Sequence, residues 1–239
     1  MLVLGDLHLF ARRSKGEAIW DSLTGRLAEE GAPSRCVFLG DLFDFSWATS
    51  HSPSEAVREA CRRVRRVAEA NPDTRFDYLL GNHDMKPAFL DGLAGLAREL
   101  PNVVIHPHHL QIGEVLFLHG DVVDRPHLTP SSLQAHRARW AERPVHTGIR
   151  ERLYGLLVRL RIDEVGGLLL FPPPLVLRRL HRYVARCGLE GVAHVVFGHT
   201  HRRVDGVLSR GVRFTNLGAP IGHRAFAPEV IAIAGEERA

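Results

Sequence analysis

The stretch Arg35-Cys36-Val37-Phe38-Leu39-Gly40-Asp41-Leu42-Phe43-Asp44 sets the expected fold. Its apolar half is too short for a helix, is bounded by a turn residue, and reads as a buried strand. Glycine then permits a tight turn, and a carboxylate stands just beyond the strand end. The same form recurs outward from this point. Val3-Leu4 runs into Gly5-Asp6, Phe76–Leu80 into Gly81-Asn82, Val115–Leu118 into His119-Gly120, and Ala193–Phe197 into Gly198-His199, with Val103–Ile105 as a further strand. Amphipathic stretches, Lys15–Glu30 and Ser54–Ala70, separate the first of these. In the second, Val57, Ala60, Cys61, Val64, Val67 and Ala68 share one face, and Arg58, Arg62, Arg65, Arg66 and Glu69 lie mostly on a solvated one. Strands alternating with helices predict βαβ units and an α/β sheet.

The 239 residues suffice for a sizeable core, and 45% apolar with 24% charged residues is the composition of an ordinary globular protein. We expect a single domain over 1–239 with an insertion at about 124–191. No apolar run is long enough to span a membrane, and Met1–Leu4 leads straight into Gly5-Asp6, so no signal peptide is expected. Cys36, Cys61 and Cys187 show no CxxC spacing, which argues against disulfides and a cysteine zinc site and for a reducing cytoplasm. The net charge of +4 is carried almost wholly by arginine, since Lys15 and Lys86 are the two lysines. Such an excess suits an anionic substrate or surface.

Five motifs stand at predicted strand ends: Gly5-Asp6-Leu7-His8, Gly40-Asp41-Leu42-Phe43-Asp44, Gly81-Asn82-His83-Asp84, His119-Gly120-Asp121 and Gly198-His199-Thr200-His201. Ligands of α/β sheets bind at the carboxyl ends of strands, so these loops should meet at one edge. The i, i+2 spacing of Asp6/His8 and of His199/His201 would put each pair on one side of an extended backbone. So many buried Asp and His groups would be costly without a cation. Mixed carboxylate and imidazole donors favour Mn, with Fe or Zn as alternatives, over Mg or Ca.

In order and spacing the set resembles the calcineurin-like metallophosphoesterases, whose pattern is DxH, GDxxD, GNHD/E, a lone His and GHxH; Asn216-Leu217-Gly218 resembles the Asn-x-Gly turn that follows it. The resemblance implies a sandwich of two mixed β-sheets flanked by helices and two divalent metal ions at one edge. Asp6, His8 and His201 would hold one ion, Asn82, His119 and His199 the other, and Asp41 would bridge them. His83 would touch the substrate phosphate and protonate the leaving oxygen, with Asp84 holding its ring. Two such ions activate a shared water and neutralise phosphoryl charge. Of the other histidines, His127 and His223 have the best claim to line the pocket, while His51, His106, His108 and His109 are expected at the surface or in packing.

Between Asp124 and Gly191 the rhythm breaks into helix-like pieces at Ser131–Glu142, Ile149–Arg161 and Leu175–Arg186, with an apolar loop, Val165–Pro174, before the last. This insertion resembles the helical cap of UDP-diacylglucosamine hydrolases, which share DLHL and GDLF. Arg150, Arg152, Arg159, Arg161, Arg178, Arg179, Arg182 and Arg186 would hold an anionic head group and the loop Leu168–Pro174 acyl chains; otherwise the loop packs the cap onto the core. That family has GNRD where this chain has His83, which draws the reading back toward the wider superfamily. The expected substrate is a small phosphorylated molecule, amphiphilic if the cap holds acyl chains, met in the cytoplasm or peripherally at the inner membrane face. A nuclease or a cyclic-nucleotide phosphodiesterase is the alternative, and a non-catalytic scaffold a remoter one. With 7% aromatics and no basic-aromatic stripe, nucleic acid is disfavoured.

Overall fold

The computed structural model describes residues 1–27, 32–47, 52–126, 128–141, 156, 158, 166 and 168–232. Two five-stranded sheets form the frame. The first contains β1 (Leu2–Leu4), β2 (Arg35–Phe38), β3 (Arg75–Leu79), β4 (Val103–His106) and the short β10 (Glu229–Val230), in the order β10-β1-β2-β3-β4. The second has β5 (His109–Ile112), β6 (Val115–Leu118), β7 (His194–Phe197), β8 (Val204–Ser209) and β9 (Val212–Asn216), in the order β5-β6-β7-β9-β8. Strands β1 to β4 run parallel, as do β6, β7 and β9. Antiparallel β10, β5 and β8 make both sheets mixed.

Strand alternation decides which side chain enters which layer. Val3, Val37, Leu39 and Leu79 point between the sheets and meet Phe117, Val196 and Leu217. Their neighbours Leu2, Leu4, Cys36, Phe38, Phe76 and Tyr78 point outward, under α1 (Gly16–Leu27), α2 (Pro53–Ala70) and α3 (Pro87–Glu99). Helix α2 starts sharply because Ser52 and Glu55 form a capping box ahead of Pro53. Its buried residues, Ala56, Ala60, Val64, Val67 and Ala68, include four of the six expected on its apolar face.

The segment after β6 carries a 3₁₀ turn (Asp121–Val123), α4 (Pro130–Ala141) and α5 (Pro173–Arg186). Helix α5 lies directly on the second sheet through Val176, Leu180 and Tyr183. The helix expected at Ile149–Arg161 falls mostly outside the described residues, although Leu156 and Val158 are helical. The expected loop Val165–Pro174 is instead partly helical, at Gly166 and at Leu168–Leu170, and α5 begins at Pro173. The sequence reading lacks β5, β8, β9 and β10: β5, β8 and β10 are half-buried edge strands, and β9, though internal, mixes Arg213, Thr215 and Asn216 with its apolar residues. His106 closes β4 and His109 opens β5, so the histidine cluster spans the crossing between sheets. Among the described residues no helix is long and apolar enough to cross a membrane.

Helix α4 is anchored by a buried ion pair. Arg137, 2% exposed, donates Nε to Asp121 Oδ2 at 2.5 Å and Nη2 to Oδ1 at 2.7 Å. Its Nη1 donates to the Pro107 carbonyl at 2.5 Å. Deleting one partner of such a pair strands a charge in the interior. Arg137→Ala is therefore expected to destabilise the fold by about 3–5 kcal/mol, measured by chemical denaturation. A loss below about 1 kcal/mol would show that the pair is open to solvent.

Candidate metal centre

The parallel strands of both sheets end at a common edge, and every predicted site residue lies there. Asp6 follows β1, Asp41 follows β2, Asn82 and His83 follow β3, His119 follows β6, and His199 and His201 follow β7. Backbone bonds lash the loops together: Asp6 N donates to Gly40 O, His8 N to Asp41 O, and Gly198 N to His119 O. Asn216 completes the frame, giving its amide hydrogens to Gly198 O at 2.8 Å and Thr200 Oγ1 at 3.2 Å, while its Oδ1 accepts from Gly218 N. That is the work of the Asn-x-Gly turn.

The loops are not extended. Asp6, His8, Asp41, His199 and His201 all have φ between 47° and 67°. Non-glycine residues rarely adopt the left-handed region, and each such residue costs about 1–3 kcal/mol where it is strained. Among the other described non-glycine residues only Phe10 and Arg210 share it. The i, i+2 pairs thus meet their partners through left-handed turns, and His199 and His201 point to different groups. Glycines serve the close approach of carboxylates: a Cβ on Gly198 would lie 2.0 Å from Asp6 Oδ2, and one on Gly81 2.1 Å from Asp41 Oδ1.

Two groups of donor atoms result. In one, His8 Nε2 and His201 Nε2 stand 2.9 Å apart, with Asp6 Oδ1 3.8 Å and 3.5 Å from them. Asp6 Oδ1 is buried without a hydrogen bond, although Oδ2 accepts from His199 N at 2.8 Å. In the other, Asn82 Oδ1 lies 2.8 Å from His199 Nδ1 and 3.0 Å from His119 Nε2, and Asp41 Oδ2 is 3.3 Å from His119 Nε2. Asp6 also converges with Asp41 and His119, so the groups adjoin.

The protonation chemistry fits cations. His119 Nδ1 faces the Leu39 carbonyl at 2.8 Å and His199 Nε2 faces Asp124 at 2.7 Å. Donation there leaves the inward nitrogen of each ring as a lone pair directed at the Asn82 oxygen. An inward lone pair beside the Asn82 oxygen is satisfied by a proton or by a metal cation between them. Burial works against a charged His119 ring, yet the facing Asp41 carboxylate pushes its pKa up to about 10. Burial takes His201 down to about 4, which leaves it a neutral donor. Burial would raise Asp41, but His119, His83 and His8 hold its carboxyl well below the usual range. Metal binding at these donors would compete with protons.

His83 stands at the mouth of the site, with its backbone N donating to Asp41 Oδ1 at 2.8 Å. Its ring packs edge-on to His8 and against Trp140 of α4, with centroids 4.9 Å and 5.0 Å away. The carboxylate beside it is Asp44, not Asp84: Asp44 Oδ1 is 3.4 Å from His83 Nδ1, and Oδ2 is 3.5 Å from His8 Nδ1. Asp84 is turned away, accepting from Gly81 N, Asp41 N and Tyr78 Oη. Burial and the Asp41 charge raise its pKa to about 6. Asp44 in turn accepts from Ser46 N and Trp47 N, so the loop that fixes it also sets Trp47 on a cleft shared with His8, His83, His201 and Arg13.

His223 is exposed and does not line that cleft, although Ile221 two residues before it does; His51 and His127 lie outside the described residues. His106 pairs with Asp77 and His109 with Tyr183, both as structural contacts. No sequence motif contains Asp124 or Trp140, so neither was legible as a neighbour of the site, whereas Phe171 belongs to the apolar loop expected to meet the substrate. Phe171 sits edge-on to His199, 5.7 Å between centroids, while Leu168, Leu169 and Leu170 are 46%, 76% and 70% exposed. Those three leucines do not pack onto the core.

Two sheets meeting at an edge lined by these donors define a phosphoesterase of the two-metal class. The chain belongs to the calcineurin-like phosphoesterase family, whose model matches residues 1–203. It is accordingly a metal-dependent phosphoesterase, and the family implies two divalent ions. A dimetal phosphatase from Danio rerio of known structure is similar over 95% of this chain and 90% of that one, with 14% identity and a TM-score of 0.46. No curated protein matches in sequence.

Asp44→Ala should free both the His83 and the His8 rings. The expected outcome is a fall in kcat of about 10–100-fold at little change in melting temperature. Asp84→Asn should instead lower the melting temperature. Equal effects of both variants on kcat and melting would refute the assignment of Asp44.

Proposed function

We propose that the chain hydrolyses a phosphoester or pyrophosphate bond, with Asp6, His8 and His201 holding one ion, Asn82, His119 and His199 the second, and Asp41 between them. The observation that carries this reading is the convergence of two adjoining donor groups beside His83. Asp41 suits the shared place because the rings of both groups, His8 and His119, act on its carboxyl. The mixture of carboxylate and imidazole donors favours Mn, Fe or Zn over Mg or Ca, and Mn is the pair we favour. Divalent ions supply Lewis acidity that activates water and offsets charge on the phosphoryl oxygens.

The remaining work belongs to the protein's own side chains. His83, oriented by Asp44 and covered by Trp140, gives a proton to the leaving oxygen. Arg13 borders the cleft and is suited to an anionic substrate. His83→Ala should keep the metals and lower kcat by about 10²–10⁴-fold on an alkyl phosphoester, with a smaller loss on a nitrophenyl ester, whose leaving group needs no proton. Asp41→Ala should lose activity and most of the second ion by elemental analysis. Full activity in chelator would overturn the metal-centre reading. A turnover screen of the Mn-loaded protein on a nitrophenyl monoester, a bis-nitrophenyl diester, a UDP-sugar and a cyclic nucleotide separates phosphatase, nuclease-like and phosphodiesterase activities.

The substrate we favour within this class is a small amphiphilic phosphoester of the UDP-diacylglucosamine type, met at a cytoplasmic membrane face. Exposed Leu168–Leu170, next to Phe171 on the ring of His199, support acyl contact beside the centre. The arginines of α5 support it less: Arg179 and Arg186 donate to the Val123 and Pro126 carbonyls and so brace the loop after β6. Arg150, Arg152, Arg159 and Arg161 lie outside the described residues. Leu169→Asp should raise KM for an acylated substrate about tenfold or more, from a lost contact of about 1.5–3 kcal/mol, and spare a small nitrophenyl ester. Equal harm to both substrates, with a lowered melting point, would assign the leucine to folding instead.

A further inference from the structure

Asp124 lies five residues beyond His119, at the end of the 3₁₀ turn, and both of its carboxylate oxygens are taken by imidazoles. Oδ1 is 2.7 Å from His199 Nε2, and Oδ2 is 2.9 Å from His136 Nε2. The side chains of Asp124, His199 and His136 are 17%, 9% and 13% exposed, so solvent competes weakly for these bonds. His199 points its other nitrogen, Nδ1, at Asn82 Oδ1, 2.8 Å away. His136 is a residue of α4 and immediately precedes Arg137, which is paired with Asp121. Two successive residues of α4 are thus tied to two carboxylates of the loop that follows His119.

We propose that Asp124 is a positioning residue that fixes the tautomer and orientation of His199 toward the metal centre and, through His136, joins that centre to α4. The inference rests on the metal-binding reading of His199. Its physical basis is that an imidazole ligand is directed by the bond its other nitrogen makes, and a carboxylate there also increases the basicity of the inward nitrogen. Without Asp124 the His199 ring would be free to place its proton on either nitrogen, and only one of the two forms can bind a cation at Nδ1. Arg137 alone would hold α4 to the core, but it touches no residue of the donor groups. The His136–Asp124 contact is what carries the state of His199 into α4, and Trp140 of that helix covers His83.

The test is calorimetric titration of Mn²⁺ into the metal-free protein, with melting of the metal-free form as a control for folding. Wild type should bind two ions. Asp124→Ala should bind one of them about 10–100-fold more weakly and leave the other unchanged. Asp124→Asn has the same shape and keeps an acceptor for His199 without the charge, so its loss should be smaller. Amide exchange in residues 130–141 should slow on Mn²⁺ addition in wild type and much less in His136→Ala. A purely structural role would lower the melting point of the metal-free protein and leave Mn²⁺ affinity untouched. Wild-type affinity for both ions in Asp124→Asn and in a folded Asp124→Ala would overturn the inference and leave the metal-centre reading intact. A wild-type protein that binds no Mn²⁺, Zn²⁺ or Fe²⁺ would overturn both.

Discussion

The structure turns on a concentration of polar donors: two carboxylates, four imidazoles and an amide oxygen are confined to the seam where two sheets end. Asp6, His8, Asp41, Asn82 and His119 are each no more than 1% exposed. Uncompensated charge in such a place would cost several kcal/mol per group. Compensation is built in at two levels. The carboxylates oppose imidazoles, and the backbone adds Gly81 N and Asp41 N to Asp84 and His199 N to Asp6. What the backbone cannot supply is the positive charge at the centre, and for this the family uses divalent ions.

Everything around the seam can be understood as holding it rigid. The interlayer residues Val3, Val37, Leu39 and Leu79 fix one sheet against Phe117, Val196 and Leu217 of the other. Because the donors come from both sheets, a slip between the layers would separate Asp6 from His199 and Asn82 from His119. Hydrophobic packing far from the chemistry therefore sets distances within it.

The strands that supply the donors were legible because each is a short apolar run ending in Gly or His and a metal-binding type of residue. All of the expected donors do arrive at one edge. What the sequence hid has physical reasons. Strands β5 and β8 have little apolar periodicity because they are edges, and β9 is internal but carries Arg213, Thr215 and Asn216 in a run of five. The partner of His83 was sought in the adjacent Asp84, but the chain turns that side chain inward to staple Gly81 and Asp41, and Asp44 from another loop reaches the ring. Sequence proximity is a poor guide where loops from different strands interleave. The extended geometry expected for Asp6 and His8 failed for a related reason: the left-handed turns are imposed by tertiary bonds such as His8 N to Asp41 O, which no local pattern announces.

Those left-handed donors have an evolutionary side. Glycine is the residue most at ease in that backbone conformation, with asparagine next. A lineage released from selection for hydrolysis could exchange Asp6 or His201 for either, relieving both backbone strain and crowded charge, and its protein would become harder to unfold. Keeping these donors therefore costs the fold stability, and the site is held against the direction in which folding free energy alone would take it.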